Sequence, residues 1–101
     1  MFDVAYALEY AVPFRDDGEC VTSLSYPQPP DRRRRIEIFC EAYGIDTPSN
    51  VAQLVAEQQR TVFETCESLA RRGIEPQAGW FRSGHGDELQ ARIAWTEASG
   101  L

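Results

Sequence analysis

The sequence has no lysine, a single histidine and only three cysteines, and each shortage removes a class of function. All ten basic residues are arginine, set against sixteen carboxylates, so the formal charge is −6. That charge repels phosphate backbones and anionic lipid overall, which makes nucleic acid and membranes poor partners. Cys20, Cys40 and Cys66 stand far apart with no C-x-x-C pair, and His85 is the sole imidazole. Neither a zinc site nor a disulfide framework is expected from that pattern, and no cofactor. Cys40 and Cys66 fall on apolar helical faces and are expected as small buried hydrophobes. No window approaches the roughly 18 apolar residues of a membrane helix. The opening MFDVAYALEY places Asp3 and Glu9 where a secretory signal would be basic and then uninterruptedly apolar, so a cytoplasmic chain is expected.

What is present is a 3.6-residue period in every long segment, with no alternation long enough for a strand. A chain of 101 residues is close to the usual size of one domain. The expectation is a single all-α domain over residues 1–101, a small orthogonal or irregular bundle of about four to five helices. Asp3 is placed to cap a first helix running to Pro13 that is apolar nearly all round and therefore needs cover on every side. Asp16-Asp17-Gly18 reads as a turn, residues 19–24 as at most a short helix, and Tyr26-Pro27-Gln28-Pro29-Pro30 as an extended connector. Asp31 should cap a helix over Arg32–Tyr43, with Ile36, Phe39, Cys40 and Tyr43 inward and Gly44 ending it. Thr47 followed by Pro48 should cap and open the longest helix, carrying Val51, Leu54, Val55, Val62, Cys66 and Leu69 on one stripe until Gly73. Pro76 can start a short helix with Trp80 and Phe81. Ser83-Gly84-His85-Gly86 should break it, and residues 87–98 form the last helix with Leu89 and Ile93 inward.

Two constellations suggest chemistry. Arg32-Arg33-Arg34-Arg35 resembles a grip for phosphate or an acidic partner, but successive helical residues point about 100° apart and cannot form one flat patch. The run also crowds positive charge into a first helical turn, where the macrodipole disfavours it by a few tenths of a kcal/mol each. Compensation is expected from Asp31, Glu37 and Asp16 or Asp17, and from guanidinium stems lying over aromatic rings. His85-Gly86-Asp87 resembles a kinase-type H-x-D loop, whose asparagine must ligate magnesium five residues after the aspartate. That position is Arg92, and a cation does not ligate a cation. Gly86 or Asp87 is better read as a helix N-cap, and no residue is assigned a catalytic role.

A longer pattern runs through FDVAYALEYAVPF, a Pro-rich connector, PPDRRRRIEIFCEAYGI, a long helix and GHGDELQARIAWTEA. In that order it resembles the C-terminal helical subdomain of the aminoglycoside phosphotransferase family, which shares the protein-kinase-like fold. FDVAYAL and PPDRRRR with AYG after it carry the resemblance, while the later helices match in period and spacing. In the family, the nucleotide cover, the ATP-pairing lysine, the catalytic loop and the metal-binding aspartate would all precede Met1. The resemblance therefore implies a truncated or remnant family member, catalytically incompetent alone. It implies that Asp3 matches an aspartate anchoring the catalytic-loop backbone, and that a small cationic substrate belongs to the parent enzymes.

Other classes stand beside that one: a small helical module for self-association or protein interaction, and the substrate-binding part of a phosphotransferase completed by another chain. The expected partner is a second copy or a complementing protein chain. A two-fold pairing through Phe2, Tyr6 and Tyr10 of the first helix is the simplest way to cover it.

Overall fold

Six α-helices, and among the described residues no strand, make up the chain: α1 (Phe2–Ala11), α2 (Asp17–Thr22), α3 (Arg32–Tyr43), α4 (Val51–Arg71), α5 (Gln77–Arg82) and α6 (His85–Ala98). The computed structural model describes residues 2–101, with side chains from Val4 onward. Two six-residue helices, α2 and α5, raise the number above the four to five expected. α4 is the central element. It packs on α1, α5 and α6, while α3 lies against α1 and α5 against α6.

The core sits at one end of α4. Leu8 and Val12 of α1, Phe14 after it, Ile36 and Cys40 of α3, and Val51 and Val55 of α4 form one buried cluster. Val4, Phe39, Ile45, Trp95 and Leu101 close its edges. Phe14 meets Trp95 edge-on at 6.4 Å between centroids. Each such buried side chain contributes roughly 1.5–3 kcal/mol by leaving water. At about 1.5 Å per residue, the 21 residues of α4 run well past this cluster, and the molecule measures 42 × 30 × 22 Å. Beyond the core, Phe63 of α4 packs on Phe81 of α5 at 5.9 Å.

Local chemistry explains most boundaries. Asp16 caps α2 by accepting from the Glu19 N–H, and Asp31 caps α3 by accepting from the Arg34 N–H. Gly44 ends α3 in the left-handed region at φ 72°, where a Cβ would be strained. Thr47 does not cap α4. That helix starts at Val51 after Asn50, and neither Asn50 nor Thr47 supplies a side-chain cap. Pro48 suits a turn as well as a first helical turn. Burial of Val51 and Val55 in the core fixes where winding begins.

The last helix also starts earlier than the spacing predicts. Gly84, at φ 95°, turns the corner alone, so α6 begins at His85 and neither Gly86 nor Asp87 is its N-cap. Gly86 lies inside the helix, where the Phe81 ring would sit 3.0 Å from any added Cβ. Its glycine serves close packing rather than a break. Tyr43 is exposed rather than inward: it is the last residue of α3, past the core, and stacks on Phe39 at 4.6 Å. Cys66 is only half-buried, because the core has ended at that height of α4, whereas Cys20 and Cys40 are buried.

Candidate interaction surface

The Arg run is absorbed into the fold, each guanidinium differently. Arg32 donates from Nε to the Pro13 carbonyl (3.1 Å) and from Nη2 to the Arg15 carbonyl (2.8 Å), and pairs with Asp17 at 2.6 Å. Its guanidinium lies 4.4 Å from the Trp95 ring centre. Arg33 reaches the Gly100 carbonyl, Arg34 sits 3.6 Å from Glu37, and Arg35 donates to the Ala11 carbonyl while covering Tyr26. The compensation expected from Asp17, Glu37 and aromatic rings is thus in place, whereas Asp31 meets the run only through the Arg34 backbone N–H. Arg32 pins the α1–α2 connection against α3 and α6. A second brace joins Arg15 and Arg92 to one Glu19 carboxylate, at 3.2 and 2.7 Å.

The face of α1 turned to α4 contains a carboxylate that spacing alone did not flag. Glu9 is 6% exposed and accepts a single side-chain bond, from Gln59 Nε2 at 3.4 Å. Gln59 also donates to the Phe14 carbonyl, while its own Oε1 is buried without a partner. Burial pushes the Glu9 carboxyl above its ordinary 4.5, against the opposing pull of Gln59, Arg15 and Arg92. The signal for Gln58 and Gln59 was a gap: they occupy the inward stripe of α4 between Val55 and Val62.

The opposite face of α1 is open. Tyr6 and Tyr10 are 48% and 53% exposed, one turn apart, with ring centres 5.1 Å from each other. Burial and then the neighbouring Glu9 carboxylate raise the Tyr10 hydroxyl above its ordinary 10. Ala11 continues this face to a groove of about 460 Å³ shared with α3 and lined by Asp31, Arg34, Arg35, Ile38 and Phe39. Of the site residues read from sequence, the structure brings Tyr6 and Tyr10 together and leaves them uncovered by the later helices. Asp31 lies at the groove rim as the cap of α3, whereas Thr47 is on the far side of that helix beside Arg33 and Leu101. Asp3 falls within the first turn of α1 rather than ahead of it. Its side chain, and that of Phe2, lie outside the described residues.

His85 and Asp87 build nothing resembling a phosphoryl-transfer centre. His85 contacts Glu88 through Nδ1 at 3.3 Å and meets the Trp80 ring at 5.6 Å, in a shallow cavity of 360 Å³ with Ser83. Asp87 opens on a different hollow, beside Glu67 and Gln90, with no basic residue in its lining. Among the described residues, no cluster of three His, Cys, Asp or Glu could hold a metal ion, and no helix is long and apolar enough to cross a membrane. Comparison with protein-family models, characterised proteins and solved structures finds no match for the chain.

Proposed function

We propose that the chain is a helical subdomain of the aminoglycoside phosphotransferase type that carries no phosphoryl-transfer site of its own and works in the cytoplasm by docking against another protein surface. The observation that carries this reading is the outward Tyr6–Tyr10 pair on a helix whose other side is buried. Two half-exposed tyrosines beside an apolar groove are a surface suited to protein contact, since aromatic side chains are enriched at the anchors of interfaces. The order of an apolar first helix, a Pro-rich connector, α3, a long α4 and a terminal α6 agrees with the resemblance. Phosphoryl transfer rests on positioned charge, and the hollow that Asp87 lines offers, among the described residues, no cation to hold a triphosphate. A small cationic substrate would belong to the chain only together with a complementing one.

Calorimetric titration with ATP·Mg tests the non-catalytic half of the reading. A flat titration to millimolar nucleotide is expected. A saturable, magnesium-dependent site lost in Asp87→Asn would overturn it.

A further inference from the structure

Helix α3 carries its charges in the order that its own dipole disfavours. Arginines fill its first turn, no basic residue lies in its last, and Glu41 is there instead. The N-terminal arginines have partners within the chain, but Glu41 is exposed and forms no ion pair among the described residues. Between them Ile38, half exposed, points away from the buried Ile36 and Cys40. An apolar residue at the crest of an exposed helix, with positive charge before it and negative charge after it, is complementary to its own reverse.

Resting on the docking reading above, we infer that the occupant of the α1–α3 groove is a second copy of this chain. The two α3 helices run antiparallel about a two-fold axis near Ile38, with Arg34 of each copy against the partner's Glu41. Helical geometry supports the pairing. At about 1.5 Å and 100° per residue, Arg34 lies about 6 Å before Ile38 and Glu41 about 4.5 Å after it, both displaced to the same side of the crest. Reversing one helix brings the two to nearly the same height on the same side, twice by symmetry. The antiparallel arrangement also sets each helix dipole against its opposite.

Tyr6, Tyr10 and Ile38 are each about half exposed. Half of a large side chain is about 100 Å², so together they offer about 300 Å² of apolar surface, which Ala11 and Phe39 of the groove extend. A stable interface takes about 800 Å² from each partner, rather more than half of it apolar.

Sedimentation equilibrium of charge-reversed full-length chains tests the arrangement. The wild type should have the mass of two chains at tens of micromolar. Arg34→Glu and Glu41→Arg should each raise the dissociation constant by about tenfold or more, because each sets like charges against each other at two symmetric positions. Combining them should restore it to within about threefold, since the pairs re-form with reversed sign. Both substitutions suit the dipole of α3, so helical content by circular dichroism should be unchanged or higher, and lost association cannot be unfolding. A wild type that stays one chain, or a double variant that associates no better than the single ones, overturns the proposal. If Arg34→Glu associates normally while Tyr10→Glu does not, this arrangement falls and docking through α1 stands.

Discussion

Replacing Arg32 by methionine should be among the most damaging single changes in the chain. Its side chain is only 11% exposed, so the guanidinium is lost from a mostly dry position. Two main-chain carbonyls, of Pro13 and Arg15, lose their donor, at a cost of about 1–1.5 kcal/mol each given that Arg15 keeps some access to water. The stacking on Trp95 is worth roughly another 1 kcal/mol. The Asp17 pair adds a few tenths at most, because that carboxylate is 58% exposed. The sum, about 3–4 kcal/mol, corresponds to a fall of roughly 15–25 °C in melting temperature for a domain of this size. Arg33→Met is the internal control. Arg33 is exposed and makes one bond, to the Gly100 carbonyl, so its loss should cost less than about 0.5 kcal/mol. Thermal unfolding followed by circular dichroism, at one protein concentration, measures both. Arg32→Lys should recover little, since an ammonium cannot span two carbonyls and a ring. Melting temperatures for Arg32→Met and Arg33→Met within a few degrees of each other would refute the bracing role.

Glu9 sets a pH dependence of defined sign. Burial raises its folded-state pKa above 4.5, so between those values the folded chain holds a proton that the unfolded chain has released. Its contribution to stability therefore falls as pH rises through that window and is flat above it. Glu9→Gln should remove the slope and gain about 1 kcal/mol at pH 7, because the new amide can donate to the orphaned Gln59 Oε1; urea unfolding across pH 4–8 measures both effects. Asp31→Ala should cost about 1 kcal/mol through loss of the α3 cap, while Thr47→Ala should change stability by less than about 0.5 kcal/mol, a contrast chemical denaturation resolves.

Helix α3 was legible in the sequence because its ends are set by local chemistry. An aspartate accepting from a first-turn N–H and a glycine in the left-handed region need nothing from the rest of the chain. The start of α4 was not, since Thr47-Pro48 offers a plausible opening that core burial of Val51 overrides three residues later. The start of α6 was not legible either, because Gly84 and Gly86 look alike in sequence yet do different things, one turning the backbone and the other admitting the Phe81 ring. The compensation of the arginine run could be anticipated from charge balance in part: Asp17, Glu37 and two aromatic rings belong to the expected set, while the carbonyls that Arg33 and Arg35 reach do not. That Arg32 would grip two carbonyls 17 and 19 residues away could not, because such contacts depend on how the α1–α2 connection folds back. The tyrosine face was visible as an excess of apolar surface on the first helix. The buried Glu9–Gln59 contact spans 50 residues and leaves only faint traces, a carboxylate well inside an otherwise apolar run of α1 and a gap in the stripe of α4.

The central claim is that the Tyr6–Tyr10 side of α1 works by being covered by protein. Sedimentation equilibrium of the wild type beside a Tyr6→Glu, Tyr10→Glu chain tests it most directly, since both side chains are about half exposed and neither substitution opens the core. The wild type should have the mass of two chains at tens of micromolar, and a folded variant that of one. A single-chain mass for both, or an association that survives both substitutions, would contradict it.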